Sequence, residues 1–203
     1  MRKVSSWVVF VSTLLVFAPR VWAVRVGEPA PDFTATDSNG AVRHLSDYKG
    51  KFVVLEWSNR GCPYVRKHYG SGNMQRLQQE WTGRGITWLT VISSAPGTQG
   101  YVTAGEENAQ LEKTNARPTA ALLDPTGQVG HLYDAKTSPH MFVINPQGIL
   151  IYDGAIDDKP TTDRADVATA KNYVSQALNE AMAGKDVSLR TSRPYGCSVK
   201  YAD

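Results

Sequence analysis

The chain has 203 residues, with 22 Lys and Arg against 19 Asp and Glu, and 41% of its residues are apolar. That length is enough for one domain with a real core. The small basic excess falls on Arg2, Lys3 and Arg20, so it argues for neither nucleic acid nor an anionic surface as a partner of the mature chain.

The first residues predict a secretory signal peptide over residues 1–23. Arg2 and Lys3 form a charged start, Val8 to Phe17 is mostly apolar, and Val21-Trp22-Ala23 puts small residues at the cleavage positions. An uncleaved anchor would need about twenty continuous apolar residues, and this run is broken by Ser12, Thr13, Pro19 and Arg20. The expected product is exported, periplasmic or secreted, with no stable membrane span after cleavage. Its body runs over residues 24–187, followed by a tail over 188–203 that carries Cys197.

After Pro29-Ala30-Pro31-Asp32-Phe33, the turn Asp37-Ser38-Asn39-Gly40 predicts a hairpin, because these residue types accept positive φ. Leu45 to Gly50 reads as a short helical turn. A strand is expected from Phe52 to Trp57, opening on the apolar run Phe52-Val53-Val54-Leu55, the pattern of a parallel central strand covered on both faces. A helix starting at Cys62 is expected to run to about Trp81, kinked or interrupted at Gly70-Ser71-Gly72. Ile86 to Ser93 is the next strand, Thr103 to Asn115 a polar surface helix, and Ala120 to Asp124 another strand. Met141 to Asn145 and Ile149 to Asp153 flank the turn Pro146-Gln147-Gly148. Val167 to Met182 repeats at helical spacing and stops at Gly184.

Cys62 stands where the apolar strand turns into a helix beginning Cys-Pro. Pro63 suits the first helical position, whose N–H has no partner in any helix. A thiol there lies at the positive end of the helix dipole, where the thiolate is favoured. Between Glu56 and Glu80 no residue is acidic, while Arg60, Arg66, Lys67, His68 and Arg76 fall in that window. Arg66 shares the face of Cys62 on the helix and Arg60 lies in the approaching loop; cations so placed lower a thiol's pKa. An exported chain with two cysteines usually forms one structural disulfide, so a static Cys62–Cys197 bond is the plain alternative to a reactive thiol.

The order strand, helix, strand, helix, hairpin, helix implies an α/β sandwich with a mixed central sheet between two helical layers. On that order, on Gly27-Glu28-Pro29-Ala30-Pro31-Asp32-Phe33, and on Cys62-Pro63-Tyr64-Val65-Arg66-Lys67, the chain resembles the thioredoxin superfamily. More narrowly it resembles the peroxiredoxin-like branch of redoxins, alkyl hydroperoxide reductases and thiol-specific antioxidants. Ser138-Pro139, the run Asp153 to Asp158 and the ending Gly196 to Tyr201 add to the likeness. It implies a thioredoxin-like three-layer fold preceded by an N-terminal hairpin, and Cys62 as the redox nucleophile. It also implies that Pro139 is a cis-proline facing that thiol and presenting backbone to a substrate peptide, and that Glu56 is a buried acid for proton transfer.

The chain departs from two patterns. Val65 stands where a dithiol thioredoxin has its second cysteine, and Asn59 and Leu55 stand where a peroxidase of this type has Thr or Ser and Pro. Cys197 is therefore the candidate resolving thiol. Expected catalytic residues are Cys62, Cys197 and Glu56; expected substrate-binding residues are Pro139, Arg60 and Arg66. No cofactor and no resident metal are expected. The partners are a thiol or disulfide protein, or a hydroperoxide, together with an external thiol reductant. Three readings compete with disulfide exchange: a thiol peroxidase, a copper carrier using Cys62, Cys197 and His140 or His68, and a non-catalytic thioredoxin-fold module.

Overall fold

The computed structural model describes residues 24–202, so the leader expected over 1–23 lies outside the described residues. In chain order the strands are β1 (Thr34–Asp37), β2 (Val42–His44), β3 (Val53–Trp57), β4 (Thr87–Ile92), β5 (Ala120–Leu123), β6 (Thr137–Ser138), β7 (His140–Ile144), β8 (Leu150–Gly154) and β9 (Cys197–Ser198). The α-helices are α1 (Pro63–Gly70), α2 (Asn73–Gly83), α3 (Ala104–Thr114), α4 (Gln128–Leu132) and α5 (Tyr173–Met182). Seven strands form one sheet in the order β2-β1-β5-β4-β3-β7-β8. β3 pairs parallel with β4 and antiparallel with β7, which makes the sheet mixed, as its flanking helix and hairpin signals require. The expected hairpin does more than precede this sheet: β1 pairs antiparallel with β5 and closes one side of it.

β3 is buried at every position because both its faces are covered. Its side chains alternate, so Val53, Leu55 and Trp57 join one apolar cluster while Val54 joins the other. The first cluster lies under α4, with Phe33, Leu45, Val129 and Tyr133. The second lies under α1, α2 and α5, with Val65, Met74, Leu77, Trp81, Val174 and Leu178. Each buried aliphatic side chain of this kind contributes roughly 2 kcal/mol. Glu56, between Leu55 and Trp57, necessarily faces the α1/α2 side.

The first helix is interrupted at the expected Gly70-Ser71-Gly72, where Gly72 adopts φ 72 at the start of α2. Two other sequence expectations change in detail. The closing helix begins at Tyr173, where Asn172 caps it by accepting from the Ser175 N–H at 2.8 Å; Ala165–Ala168 forms a separate 3-10 turn. The last residues, read as a tail without period, contain β9, which pairs antiparallel with β6.

Candidate active site

Cys62 is the N-cap residue of α1, with Pro63 at the first helical position. Its backbone N–H is tied to the Asn59 carbonyl at 2.9 Å and its carbonyl accepts from Arg66 at 2.9 Å, so the strand-to-helix turn is fixed on both sides. The thiol has 0% exposure. It donates to the Ser138 carbonyl at 3.1 Å, and its sulfur accepts the Cys197 N–H at 3.4 Å. Both cysteines are free thiols.

Ser138 and Cys197 are register partners in the β6–β9 pair, and the Ser138–Pro139 peptide is cis. The structure thus gathers Cys62, Pro139 and Cys197 at one point, although the two cysteines are 135 positions apart in the chain. Gly196 makes this approach geometrically available: its φ is 151, and a Cβ there would stand 2.1 Å from the Ser138 oxygen. Burial pushes the Cys197 thiol up to about 11; the neighbouring Cys62 adds to the rise, while Lys200 and Arg66 oppose it.

Glu56 and Arg60 are elsewhere engaged. Glu56 is fully buried and accepts from Tyr69 at 2.7 Å, Trp88 at 2.8 Å, Gln78 at 3.1 Å and Thr90 at 3.2 Å; none of these bonds reaches a cysteine. Burial raises its carboxyl above the usual range, against the lowering effect of the Trp88 and Tyr69 hydrogen bonds. The Arg60 guanidinium lies 3.7 Å from the Tyr69 ring centroid and 3.3 Å from the Glu107 carboxylate on α3. Its side chain is 15% exposed, so it packs the α1–α3 side of the site more than it meets solvent.

Asn59, three residues before Cys62, donates to the Gln99 carbonyl at 2.9 Å and accepts the Gly61 N–H at 2.8 Å. Its amide is used in holding the loop ahead of Cys62 against the loop around Gln99. His140 donates from Nε2 to Asp153 at 2.8 Å, while its Nδ1 accepts the Lys136 N–H at 3.3 Å. His68 is buried, and burial lowers it from 6.5 to about 4, with Asp157 pulling the other way. Among the described residues, no three His, Cys, Asp or Glu side chains converge to hold a metal ion, and no helix is long and apolar enough to cross a membrane.

Sequence reasoning did not single out Tyr195, two residues before Cys197, or its partner Asp157 as site residues. The Tyr195 hydroxyl donates to Asp157 Oδ1 at 2.5 Å and lies 3.3 Å from His68 Nε2. A tyrosine two residues before the tail cysteine was the signal available, but only the docked tail gives it partners.

Residues 26–153 match the model of the AhpC/TSA family. The thiol-disulfide oxidoreductase ResA of Bacillus subtilis (strain 168) is 27% identical over 129 residues, 64% of this chain and 66% of that one, so the match spans just under two thirds of the relative. An uncharacterized conserved protein from Geobacillus kaustophilus superposes with a TM-score of 0.75 at 22% identity, covering 88% of this chain and 93% of that one. The thioredoxin domain of a thiol-disulfide oxidoreductase from Bacteroides vulgatus superposes at 0.51 and 22% identity, covering 64% of this chain and 89% of that one. At these identities the two structures speak for the thioredoxin-like fold alone.

Proposed function

The chain belongs to the AhpC/TSA family, within the thioredoxin superfamily, and on that footing we propose that it is an exported thiol-disulfide oxidoreductase with Cys62 as nucleophile and Cys197 as resolving thiol. The single observation that carries this reading is the Cys197 N–H aimed at the Cys62 sulfur from a strand paired beside Pro139. A second cysteine held at this point can do what Val65 cannot. Export rests on the signal-like residues 1–23.

In the proposed cycle, the Cys62 thiolate attacks a substrate disulfide and releases one substrate thiolate, leaving a mixed disulfide at Cys62. Cys197 then attacks the Cys62 sulfur, the second substrate sulfur leaves, and an internal disulfide forms. The substrate disulfide gains two electrons and the Cys62/Cys197 pair loses them; an external thiol reductant reverses that oxidation. Burial, the largest cause of the raised Cys197 thiol, remains through the cycle; the two smaller contributions from Cys62 are altered once Cys62 is bonded to substrate, while Lys200 and Arg66 favour the Cys197 thiolate throughout.

The Asn59 geometry supports disulfide exchange over peroxide reduction. Where a peroxidase of this type carries a hydroxyl, this chain has an amide already bonded to Gly61 and Gln99. The copper reading gains no support either, since His68 and His140 are both hydrogen-bonded to other side chains.

The test compares wild type with Cys62→Ser in reactions with a model disulfide and, separately, with hydrogen peroxide. Disulfide reduction that vanishes in Cys62→Ser, with slow peroxide consumption in both proteins, is expected. Rapid Cys62-dependent peroxide consumption would replace this reading with the peroxidase one.

A further inference from the structure

The polar group that holds the segment before Cys197 lies outside the reacting atoms. The Asn73 side chain settles its donor order: Asn73 Oδ1 accepts from Arg76 at 2.8 Å, so its amide nitrogen faces His68 Nδ1 at 2.9 Å. His68 Nδ1 is therefore the acceptor, and Nε2 carries the hydrogen toward the Tyr195 oxygen at 3.3 Å. The Tyr195 hydroxyl in turn donates to Asp157. Asp157 and His68 are both buried, and α1 supplies the histidine while the segment after β8 supplies the carboxylate. The Tyr195 ring also packs on Tyr64 at 5.7 Å and under the Lys67 ammonium at 5.6 Å.

Tyr195 is thus fixed at both ends of its side chain, two residues before Cys197. At Gly196, the residue between, a side chain would strike the Ser138 carbonyl. On the far side of Cys197, the Val199 N–H donates to the Lys136 carbonyl at 3.1 Å and the Lys200 carbonyl accepts from Ala95 at 2.8 Å. The tail is held both before and after its cysteine.

From this geometry we infer that Tyr195, oriented by Asp157 and His68, is a positioning residue that sets Cys197 against Cys62 for closure of the internal disulfide. The inference rests on Cys62 and Cys197 being an exchange pair and deepens that reading. Its physical content is effective concentration: a thiol held in register closes faster than one on a loose tail, although no atom of Tyr195 takes part. The step it serves is the attack of the Cys197 thiolate on the Cys62 sulfur of a mixed disulfide. The bond from Cys62 to the partner breaks, the Cys62–Cys197 bond forms, the partner sulfur leaves with the electron pair, and the proton lost by Cys197 passes to solvent.

Added at one equivalent, dithiobis(nitrobenzoate) separates the two steps, because the first coloured thiolate reports attack by Cys62 and the second, released at a rate independent of reagent concentration, reports closure by Cys197. In Tyr195→Phe the ring and its packing stay and only the hydroxyl is lost. Its second phase is expected to slow about tenfold, the scale of a hydrogen bond to a charged group, with the first phase unchanged or faster and the thermal midpoint held. Asp157→Asn should give the same defect, and combining it with Tyr195→Phe should add little. A Tyr195→Phe second phase at the wild-type rate overturns the inference. So does an equal slowing of both phases with loss of stability, which marks Tyr195 as merely structural, and so does fully additive slowing in the double variant. If wild type releases only one equivalent, the exchange-pair reading falls and takes the inference with it.

Discussion

Cys62 has no exposed surface because the tail lies over it, and the same tail delivers the second sulfur. Residue types alone anticipated the cysteine and its cap, since strand, Cys-Pro and the absence of acids are all local. They could not show that Glu56 spends its oxygens on Tyr69, Gln78, Trp88 and Thr90, or that Arg60 folds onto Tyr69; these contacts depend on side chains from three other elements. His68 gives a pH test at this scale. Its imidazole protonates near 6.5 in the unfolded chain but only near 4 when folded, chiefly because burial disfavours the charged ring. The unfolded chain therefore binds the extra proton first, and stability is lost as pH falls from 6.5 toward 4. Between pH 7 and pH 5 the loss due to His68 is about 2 kcal/mol. Urea denaturation at the two pH values should show that loss shrinking in His68→Gln; an identical pH dependence in the variant would mean that His68 is not buried in its neutral form.

At the scale of elements, the long apolar and periodic runs were legible and the short ones were not. β3, β4, β7 and β8 announce themselves by apolar character and by the Pro-Gln-Gly turn. β6 and β9 have two residues each, too few for any period, and exist only because each supplies the other's partner. α4, five residues long with Gly130 inside it, was missed for a similar reason. The division between α1 and α2 was legible through Gly70-Ser71-Gly72, and its cause is specific: Gly72 sits at φ 72 with open space where a Cβ would go. Any cost of a side chain there is therefore backbone strain without a clash. Gly72→Val should lower stability by about 1 to 2 kcal/mol, with Gly72→Asn costing less, because glycine and, to a lesser degree, asparagine and aspartate accept left-handed backbone whereas a β-branched residue does not. Denaturant midpoints of the two variants check this; equal losses would contradict it.

At the scale of the whole molecule, the seven-stranded sheet places β3 and β7 side by side, with Trp57 opposite His140, so the end of one strand and the start of the other meet beside the thiol. The tail then crosses this end of the sheet. Ser192 binds the Ala155 N–H at 2.9 Å, Tyr195 binds Asp157, and Tyr201 donates to the Ala135 carbonyl at 2.7 Å while stacking on His131. The proximity of the two cysteines is thus a product of global topology, which is why, far apart in sequence, they left Cys197 open as a resolving thiol, a static disulfide partner or an unpaired buried cysteine. The central claim is that they form a reversible pair. Its most direct test is non-reducing peptide mapping by mass spectrometry of the reduced protein after oxidation in a glutathione buffer. A Cys62–Cys197 cross-linked peptide that appears with oxidised glutathione and disappears with reduced glutathione is predicted. Glutathione remaining on Cys62 with no cross-link to Cys197 would contradict the account.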